Sequence, residues 1–312
     1  MGGSGGGGYF SETSKSPEEI AKKIRSEEEK AKKAVFDLEV SNLIRNLLVN
    51  VNDRDTDAIQ RHIKTITDAL HSEIDGTIDL RYGGSISKHT YVNGLSDIDS
   101  LAILNNSELA NSNPEEVKKY FYDKLTARLP YTDIKIGNLA VTIKFVSGVE
   151  IQVLPALKED GGFRIPSSRR MNEWSHVIRP GDFAKALRYA NTKMDGKLVP
   201  TIKIVKSIIS TFSDSRQISG YHAEALAIEV FNRYTGEKTP KAMLRHFFSE
   251  GSKSILTPIK DKSGQSIHVD DYLKEPNSLQ RKMVSDSLAT VARKMQNADG
   301  SRDLRFWEQI LK

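Results

Sequence analysis

The feature that most constrains this chain is a pair of aspartates at the start of an apolar run. Asp97 and Asp99 stand two residues apart, and residues 99–104 have the composition of a β-strand. Residues i and i+2 of a strand point to the same face, so the two carboxylates project together. Like charges this close repel each other unless a cation lies between them, and Mg²⁺ prefers such oxygen ligands. We therefore predict a strand that carries a divalent-metal site, although an isolated Asp-x-Asp is more typical of a solvated turn.

The residues that precede this strand favour the metal-site interpretation. Gly83, Gly84 and Ser85 follow a second predicted strand over residues 77–82. Glycine lets backbone N–H groups approach a polyphosphate closely, and the Ser85 hydroxyl adds a donor. The chain then returns through residues 90–96 to the strand that carries the aspartates. This order predicts a phosphate-binding loop next to the metal site.

Composition excludes several other chemistries. The sequence has no cysteine, which excludes disulfides, a thiol nucleophile and a cysteine-ligated zinc site. It contains no Gly-x-Ser-x-Gly elbow, no P-loop lysine arrangement and no Rossmann fingerprint. No apolar run approaches the roughly 18 residues that a membrane helix requires, so we expect no membrane span. The net charge of +5 suits a protein that handles polyphosphates but does not single one out.

The hydrophobic period changes twice along the chain. Residues 1–10 are mostly glycine and are interpreted as a disordered linker. After them, Ser16, Pro17 and Glu19 predict a capped helix start. Helical spacing continues to about residue 74, and from about residue 171 it returns. Between them we predict strands at residues 77–82, 99–104, 139–146 and 149–154, with a helix at 114–128. We expect an α/β (α+β) fold with amino-terminal helices and a mixed sheet over residues 11–165 and a helical lobe over residues 166–312.

The run from Gly84 to Asp99 resembles the nucleotidyltransferase motif of the DNA polymerase β superfamily. Later segments resemble, in order, the third-carboxylate strand, the phosphate-binding lysine helix and the nucleotide-contacting Ser-x-Tyr-His segment of the oligoadenylate synthetase and cGAS-like group. A final segment resembles the bacterial members of that group, the CD-NTases of CBASS antiphage systems. These four segments are residues 149–156, 201–210, 219–224 and 258–273.

The resemblance implies a polymerase-β-like palm followed by an oligoadenylate-synthetase-like helical lobe. It implies that Asp97 and Asp99 are catalytic and hold two Mg²⁺ or Mn²⁺ ions. It further implies nucleotide-binding roles for five residues: Gly84, Ser85, Lys206, Ser219 and Tyr221. Tyr221 would stack on a base, and one interpretation of His222 is that it orients this tyrosine.

The activity implied by the resemblance is the joining of ribonucleoside triphosphates, ATP or GTP or both, into a cyclic di- or trinucleotide with release of pyrophosphate. The setting implied is the bacterial cytoplasm, in antiphage defence, where a downstream effector senses the product and an RNA or protein can activate the enzyme. A template-independent transferase that modifies RNA or protein uses the same early motif and stays open as an alternative.

Gln152 departs from the family pattern, which has a carboxylate at this position. A neutral amide is a poor base and a poor ligand for a hard metal, whereas Glu150 lies two residues earlier on the same predicted strand face. Three interpretations follow: Glu150 substitutes for the missing carboxylate, two carboxylates suffice, or the chain binds nucleotide or RNA without catalysis. We favour an active enzyme because both aspartates are present.

Overall fold

The computed structural model describes residues 16–53, 55–71, 76–93, 95, 97–168, 170 and 172–312. The linker predicted over residues 1–10 lies outside these ranges. The helices are α1 (Pro17–Asn52), α2 (Thr56–His71), α3 (Gly84–Ser87), α4 (Pro114–Arg128), α5 (Pro180–Lys193), α6 (Leu198–Ile209), α7 (Gly220–Val230), α8 (Pro240–Ser254), α9 (Leu279–Ser301) and α10 (Leu304–Leu311). The strands are β1 (Gly76–Tyr82), β2 (Ile98–Ser107), β3 (Asp133–Ile136), β4 (Val141–Lys144), β5 (Glu150–Glu159) and β6 (Gly162–Arg164).

The start of α1 has the capping geometry that the sequence predicts. The Glu19 backbone N–H donates to the Ser16 hydroxyl at 3.2 Å, and the Ser16 N–H donates to the Glu19 carboxylate at 2.9 Å. Pro17 occupies the first helical position, where its missing N–H costs nothing. The first part of the amino-terminal helical spacing forms this one long helix, which ends at Asn52.

The strands form one mixed sheet in the order β1-β2-β5-β4-β3, and β6 extends from β5. Only β2 and β5, among the described strands, pair in parallel, and they lie at the centre of the sheet. Gly148 has a φ of 83° and donates its N–H to the Phe145 carbonyl at 2.9 Å, which closes the predicted turn between β4 and β5. The mixed sheet and the helical second half confirm the predicted fold class.

One hydrophobic core lies between the sheet and the helices α2 and α4. Ile66, Leu70, Phe121 and Leu125 from these helices pack with Ile151 of β5, and all are buried. Burying a side chain of this size stabilises the fold by roughly 1.5–3 kcal/mol relative to leaving it exposed. The opposite face of the sheet carries Asp99 and Gln152, so the first core orients the candidate site outward.

A second core joins α6, α7, α8 and α9, and α1 belongs to it. Phe36, Val40 and Ile44 of α1 are buried in this core. The boundary that the sequence predicts between two regions, near residue 165, stays a prediction. It did not anticipate that an amino-terminal helix packs in the carboxy-terminal helical half. No helix within the described ranges has both the length and the apolar character that a bilayer crossing demands.

Candidate active site

The glycine loop lies directly against one of the two aspartates. The Gly83 N–H donates to the Asp99 carbonyl at 2.8 Å, and Gly84 begins α3 with a φ of 47°. A Cβ atom built on Gly84 would lie 1.5 Å from the Asp99 carboxylate oxygen Oδ2. Both the positive φ and this collision require glycine at position 84. The loop that carries Ser85 is therefore fixed on the aspartate strand.

The two aspartates are held in a setting that disfavours their charge. Burial raises the pKa of Asp99, and the nearby Asp97 carboxylate raises it further. Burial also raises the pKa of Asp97, against the opposing effect of a hydrogen bond from Gln152. A cation between two such carboxylates favours their ionised forms. Within the described ranges no cluster of three or more His, Cys, Asp or Glu side chains that could hold a metal ion is found. A pair of carboxylates fits Mg²⁺, which usually takes its further oxygen ligands from substrate phosphates and water.

Gln152 lies beside both aspartates. It is the register partner of Asp99 across the parallel β2–β5 pair, and its amide Nε2 donates to Asp97 Oδ2 at 2.7 Å. Glu150 begins β5 opposite Lys144 of β4 and shares the face of Gln152. The structure thus brings Gln152 together with Asp97 and Asp99, and it places Glu150 two residues earlier on the same face of β5. The roles of Glu150 and Gln152 stay predictions.

Lys206 is buried and its ammonium group is engaged by the protein. Its side chain is 7% exposed, and Nζ donates to Glu224 Oε1 at 2.6 Å and to the Thr90 carbonyl at 3.0 Å. The Thr90 hydroxyl also donates to Glu224 Oε1, at 2.5 Å. Lys88 completes the cluster, with Nζ 2.5 Å from Glu224 Oε2. Burial alone would raise the pKa of Glu224, but the two ammonium groups outweigh burial and hold it below its ordinary value.

Tyr221 is positioned by two contacts. Its ring lies 4.4 Å from the Phe183 ring, between centroids, and its hydroxyl donates to Asp261 Oδ1 at 2.7 Å. Ser219 caps α7, because its hydroxyl accepts the His222 backbone N–H at 3.1 Å. The Lys88 ammonium lies 5.0 Å from the ring centroids of both Phe183 and Tyr221. The lysine cluster and the predicted base-stacking residue are therefore neighbours.

His222 does not orient Tyr221. Its ring is fully buried, and Nδ1 lies 2.8 Å from the Tyr272 hydroxyl while Nε2 lies 3.5 Å from Asp270 Oδ2. Burial lowers the pKa of His222 to about 4, so the ring is neutral at pH 7. The interpretation that joined His222 to Tyr221 is wrong, since the side chain of the next residue on a helix points about 100° away.

The sequence predictions missed Lys88, Thr90 and Glu224 as part of the site. One signal was present: Glu224 is a lone charge within the apolar run of residues 223–228. A carboxylate placed among buried apolar residues needs a partner, because an unpaired buried charge is too costly. Two of its partners, Lys88 and Thr90, lie 136 and 134 positions away, so no local sequence pattern identifies them.

The fold is the polymerase-β-like arrangement that the sequence predicts, with the glycine loop lying against Asp99 of β2. Residues 37–191 match the sequence profile of the Second Messenger Oligonucleotide or Dinucleotide Synthetase domain. Several CD-NTases are among the solved structures that have the same fold as this chain.

Solved structures share this fold at low sequence identity. Escherichia coli MS115-1 CdnC, solved with ATP, is 16% identical with a TM-score of 0.64, over 86% of this chain and 96% of CdnC. A c-di-GMP synthase, CdnE from Capnocytophaga granulosa, is 18% identical with a TM-score of 0.60, over 82% of this chain and 85% of CdnE. The cyclic AMP-GMP synthase DncV of Vibrio cholerae is 10% identical with a TM-score of 0.61, over 93% and 90%. No curated protein sequence matches.

Proposed function

We propose that this protein joins ribonucleoside triphosphates into a cyclic di- or trinucleotide and releases pyrophosphate. The observation that carries the proposal is the glycine loop at Gly84 lying against Asp99, with Asp97 beside it. In this arrangement, hydrogen-bond donors that can bind phosphate lie next to a pair of carboxylates. Relatives of the same fold are described as a c-di-GMP synthase and a cyclic AMP-GMP synthase, and CdnC is described with ATP.

Each residue of the site has a proposed role that follows from its position. Backbone N–H groups of the loop and the Ser85 hydroxyl would hold donor phosphates, and Tyr221 would stack on a base, a contact worth roughly 1–3 kcal/mol. Asp97 and Asp99 would hold Mg²⁺ or Mn²⁺, which supplies charge neutralisation for the triphosphate. The acceptor ribose hydroxyl attacks the α-phosphorus, and the bond from that phosphorus to pyrophosphate breaks. Glu150 is our candidate for the group that takes the hydroxyl proton.

Gln152 favours a second candidate function, that of a nucleotide-binding protein without catalysis. Its amide donates a hydrogen to Asp97 Oδ2, one of the oxygens that a metal ion would use. An amide N–H cannot also accept the proton of an attacking hydroxyl. We favour the enzyme because rotation of one side chain, Gln152, frees this oxygen.

Partners belong to the same proposal. We propose that an RNA or a protein activates the enzyme and that a downstream effector senses its product in antiphage defence. One relative, the E. coli MS115-1 CdnC, is described in complex with a HORMA protein.

The decisive experiment is incubation of the protein with labelled ATP, GTP, CTP and UTP and with Mg²⁺ or Mn²⁺. The products are treated with phosphatase and separated. A phosphatase-resistant small oligonucleotide supports the cyclase, and labelled RNA or protein supports a modifying transferase instead. Binding of triphosphate without turnover under either metal makes the non-catalytic function the better one. Asp97→Asn is the control that must remove any product.

A further inference from the structure

A tyrosine from a distant segment holds the turn that begins α7. The Ser219 backbone N–H donates to the Tyr272 hydroxyl at 3.3 Å, although 53 positions separate the two residues in the chain. The first N–H groups of a helix have no acceptor within the helix, so they need one from elsewhere. Ser219 is also one of the residues predicted to bind nucleotide. The Tyr272 hydroxyl therefore fixes the backbone of a predicted nucleotide contact.

A buried chain of polar groups sets the direction of this hydrogen bond. The Tyr272 hydroxyl also lies 2.8 Å from His222 Nδ1, and the His222 ring is neutral at pH 7 because burial lowers its pKa to about 4. A neutral imidazole has one N–H donor and one acceptor nitrogen. His222 Nε2 faces the Asp270 carboxylate across 3.5 Å, which assigns the proton to Nε2 and leaves Nδ1 as the acceptor. The Tyr272 O–H therefore donates to His222, and its oxygen accepts from Ser219.

The segment that carries Tyr272 also holds the predicted base-stacking ring. The Tyr221 hydroxyl donates to Asp261 Oδ1 at 2.7 Å. Residues 261–272 thus contact the start of α7 at two points, through the backbone of Ser219 and through the side chain of Tyr221. Tyr272 is 49% exposed, so its hydroxyl rather than the burial of its ring is what this position supplies to the turn.

We infer that Tyr272 is a positioning residue for nucleotide binding, because its hydroxyl holds the backbone of Ser219 where that residue can contact the nucleotide. This inference rests on the proposed function, since it concerns the same site. Tyr272 acts through Ser219 and does not itself contact the nucleotide. His222 fixes the direction of the hydrogen bond, and the Asp270 carboxylate fixes the proton on His222.

The test removes the hydroxyl alone, in the variant Tyr272→Phe of the full chain. Calorimetry measures binding of the non-hydrolysable α,β-methylene analogues of ATP and GTP with Mg²⁺, and NMR measures hydrogen exchange at the Ser219 amide. We expect exchange at Ser219 to be faster by roughly 5-fold or more, because its N–H loses an acceptor. Binding of the preferred analogue should weaken by roughly 3- to 10-fold, the range that one hydrogen bond spans. In turnover, KM for triphosphate should rise by a similar factor while kcat stays within about 2-fold.

Two kinds of variant serve as controls. The Tyr234 hydroxyl donates to the Glu237 carbonyl at 2.7 Å, beyond the carboxy-terminal end of α7, so Tyr234→Phe loses a comparable hydrogen bond and should change neither affinity nor exchange at Ser219. His222→Asn keeps an acceptor atom on Cγ, where Nδ1 is attached, whereas His222→Leu has none. We expect His222→Asn to bind the analogue more tightly than His222→Leu. If neither His222 variant folds, Tyr272→Phe compared with Tyr234→Phe still decides.

Three results would overturn the inference: Tyr272→Phe binding as tightly as the unmodified protein, weaker binding without faster exchange at Ser219, or an equal loss of affinity in Tyr234→Phe. The expected losses without any cyclic product support Tyr272 and reject the proposed catalysis. Cyclic product together with unchanged binding by Tyr272→Phe rejects Tyr272 alone. Failure of the unmodified protein to bind either analogue rejects both.

Discussion

At the scale of single residues, Gln152 controls how the carboxylate pair can be used. Its amide donates to Asp97 and it stands beside Asp99 in the sheet register. We expect Gln152→Asp to raise turnover by roughly 100-fold, the lower end of what a positioned general base contributes. The Gln152→Asn side chain has the shape of the Gln152→Asp side chain but no charge, so this variant should not raise turnover. The measurement is the initial rate of pyrophosphate release at saturating triphosphate.

Glu150 is tested by the complementary change. If Glu150 takes the hydroxyl proton, Glu150→Gln should lower turnover by roughly 100-fold or more while the Michaelis constant for triphosphate changes little. The double variant with Gln152→Asp should regain activity, because the base is then supplied from position 152. An unchanged rate for Glu150→Gln would reject the substitution of Glu150 for the missing carboxylate.

In the absence of metal, the negative charge of Asp99 should lower the free energy of unfolding. Its pKa in the folded protein is raised above the ordinary value of 3.8, so the folded state holds this proton more tightly than the unfolded chain does. This loss of stability is absent below about pH 3.8, and it is complete once the pH exceeds the pKa of Asp99 in the folded protein. At pH 7 we therefore expect Asp99→Asn to raise the free energy of unfolding by roughly 0.5–2 kcal/mol while removing activity. Urea denaturation without metal measures this, and a destabilised variant would contradict it.

Some residues of the site follow from sequence and others do not. Asp97, Asp99 and Gly84 lie within one short stretch, where strand alternation and glycine freedom are local rules. The Glu224 partners are set by the packing of α7 against the loop after α3, so no local rule names them. For the same reason, the phosphate-binding role predicted for Lys206 could not take account of its buried contacts with Glu224 and Thr90.

At the scale of elements, a buried ion pair fixes the segment between α8 and α9 to the amino-terminal end of α9. Arg281 Nη1 donates to Asp270 Oδ2 at 2.7 Å, and both side chains are 0% exposed. Asp270 also accepts the Ile259 N–H at 3.1 Å. Asp261, which holds Tyr221, lies in the same segment. The pair therefore supports the position of the predicted base-stacking ring.

Removing one partner of this pair should be costly. We expect Asp270→Asn to lower the free energy of unfolding by about 3–5 kcal/mol, because it leaves the Arg281 guanidinium buried without its counter-ion. Chemical denaturation at pH 7 measures the change. Replacing both partners, with Asp270→Leu and Arg281→Met, should recover part of the loss. A loss under 1 kcal/mol for Asp270→Asn would show that water or a backbone shift compensates the charge.

Elements with strong local signals agree with their sequence predictions. α4 spans the predicted residues 114–128 and has a capping box between Asn113 and Glu116. β3 and β6 escaped prediction because they are short, and β3 lies at the sheet edge with exposed charged residues at alternate positions. In the helical lobe the sequence predicted the class of structure but not the bounds of single helices, although Thr239 and Pro240 form an ordinary helix start before α8.

At the scale of the whole molecule, the site lies on elements that pack in two different hydrophobic cores. Asp99 lies on β2 of the sheet with Asp97 and Gly84 beside it, whereas Ser219 and Tyr221 stand at the start of α7, which packs in the helical core. The contacts of Lys88 and Thr90 with Glu224 join the two. A nucleotide that touches both sets of residues would couple the stability of one core to that of the other.

Magnesium and a triphosphate together should therefore raise the melting temperature of the entire chain. A ligand at about 100 times its dissociation constant stabilises the folded state by about 2.7 kcal/mol. For a chain of this size we expect a shift of roughly 4 °C in a single calorimetric transition, measured with α,β-methylene ATP or GTP and Mg²⁺. The nucleotide with EDTA should give a smaller shift, and Asp99→Asn should lose the metal-dependent part. A split transition, with only the helical core stabilised, would contradict a nucleotide held by both cores.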